Sequence, residues 1–403
     1  MIFQRFIDEG LSQMSYVVAC PRTHKALVVD PTRDIDRYVT FARKRGLNIV
    51  YVAETHLHAD FVSGARELAM NVDGALLASE EGGADWAYRI SPSQAVRLLR
   101  HGDRADLGDL CIEAVHVPGH SPEHLAYSVL QSKKSPHPRL VMTGDFLFVG
   151  DVGRPDLLDA GDASRKTARD MSAQMYESLR ERLGKFGDEV LVWPGHGAGS
   201  ACGRATSDLP CTTVGHERRA SWWSTFIANN DLEGFVEQLS EAQPEVPRYF
   251  KRTKLINRDG PAELGQLPVP PRLFTSSFHH WLGLDAEVLD LRPTQQFARL
   301  HPKGAQSFPS LSKLSSHAGA VLQDAGRPIV LVASPSQLEA ATRGLVRVGF
   351  DRLVGWVSPE DAIDALGGRG TVRVITRCEA SFAMVEVADD GPGIPPEVRP
   401  RSL

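Results

Sequence analysis

Through the first 200 residues, short apolar runs alternate with polar turns, and a few segments switch to helical spacing. Ser15 to Cys20 and Ala26 to Asp30 are apolar runs around a polar turn, which predicts a hairpin, and the apolar face of Asp36 to Lys44 recurs as a helix requires. Asn48 to Ala53 is a β-branched run that ends in a loop carrying Thr55, His56, Leu57, His58, Ala59 and Asp60. Val62 to Met70 then reads as a helix. Further strands are expected at Leu110 to Val117, Leu125 to Leu130, Leu140 to Thr143 and Val190 to Trp193, with a long helix over Ser164 to Phe186. Strands outnumber helices and polar loops follow them, so a two-sheet sandwich flanked by helices is the expected architecture.

Residues 241 to 281 open on a proline-rich stretch that predicts a connecting arm, because repeated proline sustains neither a helix nor a central strand. From about Ala286 a second unit begins. Apolar runs Pro328 to Val332 and Arg352 to Val357 flank a helical pattern at Glu339 to Val348, the order of a parallel strand, helix, strand unit. There is no internal repeat and no low-complexity tract. The chain thus divides into residues 1–240, an arm at 241–281, a smaller α/β domain at 282–369 and a tail at 370–403.

Composition narrows the classes. A chain of 403 residues with 42% hydrophobic and 24% charged positions can bury more than one core. A net charge of -5 leaves no basic footprint for nucleic acid, and the lack of a long apolar run excludes a membrane span. The five cysteines are scattered and unpaired by spacing, a reduced pattern that fits the cytoplasm and contains neither a disulfide framework nor a cysteine zinc site.

The chemistry lies in the histidines. His56 and His58 follow one strand, His120 in PGHSPEH follows another, and His196 in WPGHGAGSACG follows a third, while Asp145 in TGDFLF ends a fourth. Neutral imidazoles with one carboxylate are the donors that zinc and non-haem iron prefer. The motifs THLHAD, PGHS, TGD and PGHG, in this order, resemble the metallo-β-lactamase superfamily over roughly residues 1 to 240. That resemblance implies an αβ/βα sandwich with a metal at one edge. Binuclear hydrolases of the superfamily continue the first motif as H-x-H-x-D-H, and the last histidine helps to hold a second metal; here Phe61 stands at that place. The branch with one metal is the persulfide dioxygenases, which resemble glyoxalase II but bind a single ferrous iron.

Carried over by position, the resemblance makes His56, His120 and Asp145 the ligands of one Fe(II) per chain, with His58, Asp60 and His196 orienting ligands or substrate. GDVGRPD at Gly150 to Asp156 also resembles that branch; Arg154 could steer an anionic persulfide or pair with Asp156. The implied substrates are a low-molecular-weight thiol persulfide and O2, the implied products sulfite and the free thiol, and the implied assembly a homo-oligomer. A zinc-dependent hydrolase of the glyoxalase II type, acting on thioesters, is the alternative enzyme. A non-catalytic sulfur or redox sensor is the alternative from another class. Asp30, after an apolar strand, reads as a structural turn residue, and Cys202, with no activating base in the sequence, as non-catalytic.

In the second unit Asp290, Arg292, His301, Gly304, Ala305 and Pro309 resemble the start of a rhodanese domain. Ala333 then occupies the place of the sulfur-carrying cysteine, which implies a unit used for packing, dimerisation or guiding substrate. Asp389, Gly391 and Gly393 resemble the D-x-G-x-G box of histidine-kinase ATPase domains, but about thirty residues cannot build that fold.

Overall fold

The computed structural model describes residues 1–92, 94–135, 137–157, 167–204, 206–241, 243 and 245–365, and the backbone of two strands at 372–379 and 382–389. The chain forms two units, Met1–Gly265 and Gln266–Leu403.

The first unit is a sandwich of two six-stranded sheets. One sheet runs in sequence order through β1 (Ile2–Asp8), β2 (Gln13–Ala19), β3 (Lys25–Val29), β4 (Asn48–Ala53), β5 (Ala75–Ser79) and β6 (Val96–Leu99). The first three strands are antiparallel and the remaining pairings are parallel. The other sheet contains β7 (Arg104–Leu107), β8 (Leu110–His116), β9 (Leu125–Leu130), β10 (Leu140–Gly144), β11 (Leu191–Pro194) and β12 (Thr212–Thr213), in the order β12-β11-β10-β9-β8-β7.

Alternation along the central strands builds the layers. In β2, Met14, Tyr16 and Val18 enter the core between the sheets, while Val17 and Ala19 face the core beneath the helices. Strand β9 divides likewise: Leu125, Tyr127 and Val129 point between the sheets, and Ala126 points to the helices on the other side. A strand apolar on both faces must be covered on both, so helices sit outside each sheet. Helices α1 (Asp36–Arg45) and α2 (Ala65–Asn71) supply Tyr38, Ala42, Leu68 and Ala69 to one outer core. On the other side α3 (Ala168–Glu181) supplies Met175, Tyr176 and Leu179. That helix starts at a capping box formed by Thr167 and Asp170; Ser164, where its start was expected, lies outside the described residues. Helices α4 (Val214–Ala220), α5 (Ser224–Asn229) and α6 (Leu232–Ser240) complete this layer.

Residues 241–281 are not an arm. They contain α7 (Tyr249–Asp259), which belongs to the first unit, and α8 (Thr275–Gly283), which belongs to the second. The prolines lie at positions 244 and 247 and then from 261 onward, and the proline-free interval between them folds as a helix. The units therefore divide between Gly265 and Gln266, not at 240 and 282.

The second unit has a parallel sheet, in the order β14-β13-β15-β16, of β13 (Glu287–Asp290), β14 (Gln306–Ser307), β15 (Ile329–Val332) and β16 (Leu353–Val357). Helices α9 (Thr294–Arg299), α10 (Leu314–Val321), α11 (Pro335–Arg347) and α12 (Pro359–Asp364) connect and follow its strands. Helix α11 begins earlier than its apolar pattern suggested, because Ser334 and Gln337 form a capping box with Pro335 in the first turn. Strands β17 (Val372–Glu379) and β18 (Phe382–Asp389) pair as an antiparallel ribbon. The side chain of Asp389 and residues Gly391 and Gly393, which carry the kinase-like phrase, lie outside the described residues. No helix among the described residues is long and apolar enough to cross a membrane.

Candidate metal centre

Four loops meet at one edge of the sandwich: those after β4, β8, β10 and β11. They bring His56, His120, Asp145 and His196 together, all buried. The approach is close enough to dictate small residues. Gly144 of TGD has φ +53, and a Cβ there would stand 2.5 Å from Thr55 Oγ1.

His56 Nε2 lies 3.8 Å and His120 Nε2 3.7 Å from Asp145 Oδ2. That carboxylate oxygen is buried and has no hydrogen-bond partner, which is costly unless something else satisfies it. Two imidazole nitrogens and a carboxylate oxygen within 4.8 Å of one another fit one ion bound at about 2 Å.

The far side of each ring fixes its proton. His120 Nδ1 donates to the carbonyl of Arg154 at 3.0 Å. Thr55 Oγ1 donates to Asp30 Oδ2 at 2.9 Å and therefore accepts from His56 Nδ1, also at 2.9 Å. Both Nε2 lone pairs are thus left facing Asp145, the arrangement expected of ligands oriented from behind. Burial, with neighbouring histidines, holds His56 well below the ordinary histidine range, and burial also lowers His120. Asp145 behaves oppositely. Burial alone would raise it, but the charge and hydrogen bond of His196 hold its carboxyl well below the usual range.

The metallo-beta-lactamase superfamily model matches residues 8–196. A metallo-beta-lactamase from Staphylococcus aureus superposes with a TM-score of 0.80 at 30% identity, over 89% of this chain and 99% of that one. The chain belongs to the metallo-beta-lactamase superfamily. ETHE1 from Myxococcus xanthus is similar at 25% identity and a TM-score of 0.51, over 64% of this chain and 98% of that one. A hydroxyacylglutathione hydrolase from Polaromonas is 29% identical over 49% of this chain, which spans 66% of that relative's length.

Against that family background the second histidine of H-x-H stands apart. His58 Nε2 lies 3.0 Å from Asp30 Oδ1. Burial would lower its pKa, yet Asp30, with Glu54 and Asp60, pushes it up to about 9. Its donor atoms are not part of the group formed by His56, His120 and Asp145. Asp30 is thus more than a turn residue: φ is +52, as a turn position allows, but its carboxylate also accepts from Thr55 N at 2.7 Å and ties Thr55 and His58 together.

His196 lies between two carboxylates, with Nδ1 2.7 Å from Asp145 Oδ1 and Nε2 2.8 Å from Asp60 Oδ2. Both contacts require the ring to donate. Burial opposes that charge, and Asp145 and Asp60 outweigh it, so the His196 pKa rises well above its usual value. Arg154 is buried, pairs with Asp156 through Nε at 2.8 Å and Nη2 at 2.7 Å, and donates to the Ala201 carbonyl at 3.1 Å. The ion pair with Asp156, one of the two readings of Arg154, is present in the structure. Cys202 was set aside on sequence grounds, yet it joins Asp60 and His196 in a second buried cluster. Burial pushes its thiol well above the usual range.

Sequence reasoning passed over three residues. His124, in the same PGHSPEH phrase as His120, stacks on His56 with centroids 4.7 Å apart and accepts from Asp145 N at 3.1 Å. Its signal was present in the motif. Glu123, adjacent to it, accepts from Leu57 N at 2.8 Å. Asn257, on α7, had no motif at all.

Proposed function

We propose that this chain is a mononuclear iron dioxygenase that oxidises the terminal sulfur of a low-molecular-weight thiol persulfide to sulfite. The observation that carries the reading is the buried, unpartnered Asp145 Oδ2 facing two imidazole lone pairs, with Phe61 where a further ligand would stand. In balanced form, persulfide, dioxygen and water give thiol, sulfite and two protons; dioxygen contributes two of the sulfite oxygens and water the third. Bound at His56, His120 and Asp145, ferrous iron would supply adjacent open positions for dioxygen and the persulfide sulfur.

The protein's own groups do the rest. Thr55 and the Arg154 carbonyl hold protons at Nδ1 of His56 and His120, which keeps both Nε2 atoms free to bind. His196 fixes Asp145 in its rotamer and keeps it ionised. Asp60 anchors His196 from the other side, and Asp30 holds His58 at Nε2. The Phe61 ring, fully buried and 4.4 Å from His58, supplies no ligand atom and fills space beside the loop.

The motif resemblance and the likeness to ETHE1 favour this branch. The curated hydroxyacylglutathione hydrolases favour the alternative, a zinc-dependent thioester hydrolase. Anaerobic purification with metal analysis, followed by oxygen-electrode assays on glutathione, coenzyme A and bacillithiol persulfides, separates the two. About one iron per chain with oxygen uptake supports the dioxygenase, whereas two zinc ions with thioester hydrolysis and no oxygen uptake overturn it. The rhodanese-like reading of the second unit, with Ala333 directly after β15, and the expectation of a homo-oligomer belong to the same proposal.

A further inference from the structure

Helix α7 lies beyond residues 8–196, the part matched by the superfamily model, yet one of its side chains reaches the loop of the first motif. The buried face of α7 carries Tyr249, Thr253 and Asn257 at successive turns. Asn257 is 2% exposed, and its amide is almost fully used. Nδ2 donates to the His58 carbonyl and to the Phe61 carbonyl, both at 2.7 Å, while Oδ1 accepts from Ser63 N at 2.9 Å.

These three backbone groups belong to a buried loop whose ladder contact is a single β-bridge between Ser63 and Thr32, and the hydrogen bonds given to all three come from a side chain. One amide satisfies all three. It closes the turn that carries Asp60 and Phe61, and the segment it grips begins two residues after the ligand His56. On the other side of His58, Glu123 holds Leu57 N, so the loop is gripped from two directions. Helix α7 is itself tied to the helix after the loop, because Arg66 on α2 donates to the carbonyls of Asn257 at 3.2 Å and Arg258 at 2.9 Å.

We propose that Asn257 is a positioning residue of the metal centre. It fixes the backbone from His58 to Ser63, so that His56 stays aimed at Asp145 and Asp60 stays on His196. The inference rests on the reading of His56, His120 and Asp145 as a metal site, and it is indifferent to whether that metal performs oxidation or hydrolysis. It makes the first unit of this chain dependent on a helix beyond residues 8–196, the part matched by the superfamily model.

The test is metal affinity of the full chain, measured with Zn(II) alone by competition against a fluorescent chelator. Asn257→Asp retains the acceptor for Ser63 and sets an oxygen against two carbonyls. Asn257→Ser removes most of the amide with little added bulk. Both are expected to weaken Zn(II) binding by about 10–100-fold, the loss typical of residues that orient ligands. Thr253→Ala is the control: Thr253 is buried on the same face of the same helix, but its hydroxyl bonds only to the Tyr249 carbonyl within the helix. It should lower Tm and leave affinity within about twofold of wild type. Equal affinity of wild type and both Asn257 variants overturns the proposal, as does a loss in Thr253→Ala matching theirs. If Asn257→Ser does not fold, Asn257→Asp with its Tm and affinity still decides. A wild-type chain that binds Zn(II) no better than His120→Ala overturns the metal-site reading itself, a result distinct from either of these.

Discussion

Two clusters of donor atoms sit side by side in the first unit, and they differ in where their protons are. His56, His120 and Asp145 turn their hydrogen-bonded sides outward and leave two lone pairs and one carboxylate oxygen facing one another. Asp60, His196 and Cys202 are also buried and equally close, but His196 donates from both nitrogens and the thiol is held protonated by burial. The first cluster offers three unprotonated donor atoms to a cation. The second satisfies its imidazole from within and serves as the brace of the first, because its histidine grips the other oxygen of Asp145. Similar residue types at similar spacing therefore do opposite work, and the surrounding acceptors decide which.

The severest way to break this comparison is to remove a donor from the open cluster. His120→Ala leaves Asp145 Oδ2 with one imidazole and should weaken metal binding well beyond the roughly 100-fold seen when an orienting group is lost. Metal content after anaerobic dialysis is the measurement. A variant that retains its metal would show that the three side chains are not the ligands.

His196→Ala attacks the brace. Asp145 would keep its place in the donor set but lose the hydrogen bond at 2.7 Å that orients it, and affinity should fall by about 10–100-fold. If His196→Ala instead behaved like His120→Ala, both clusters would be ligands and the distinction between them would fail. Phe61→His sharpens the same point by adding a donor beside Asp60. Metal stoichiometry should then rise from about one toward two, measured by elemental analysis. If it stays at one, the hydrogen bonds of His196, and not the aromatic ring, keep the second cluster closed.

The open cluster was legible in the sequence because its residues come with their own turns. THLHAD, PGHS and TGD each place a donor directly after a strand, and the glycine of TGD is demanded by the φ of +53 and the contact with Thr55. The sandwich was legible for a related reason: short apolar runs such as those of β2 and β9 mark strands that are covered on both faces. What supports the cluster was not legible. Asp30 looked like the end of a strand, and only the fold shows that its carboxylate reaches Thr55 and His58. Asn257 is separated from Phe61 by 196 residues and lies in a segment whose prolines suggested no helix. A side chain that bonds to backbone groups leaves no pattern at the positions it serves, because any residue provides a carbonyl or an N–H.

The smallest expected effect concerns a second orphan oxygen. Glu123 Oε2 is buried and unpartnered, as Asp145 Oδ2 is, but it has no imidazole to hold its charge. Burial therefore pushes the Glu123 carboxyl up, whereas His196 holds Asp145 down. The folded chain binds this proton more tightly than the unfolded chain does. Its contribution to stability is thus complete below the unfolded glutamate value, about 4.3, and is lost as pH rises through the raised folded value. Glu123→Gln retains a carbonyl for Leu57 N and cannot ionise. The Tm of the variant should gain on that of wild type as pH rises through that folded value, with a difference on the order of 1 kcal/mol, the lower end of the cost of a buried polar group left unsatisfied. Parallel Tm curves for the two proteins through that value would mean that Glu123 is as well stabilised in its ionised form as Asp145. The contrast between the two carboxylates, one held down by an imidazole and one pushed up by burial, would then be lost.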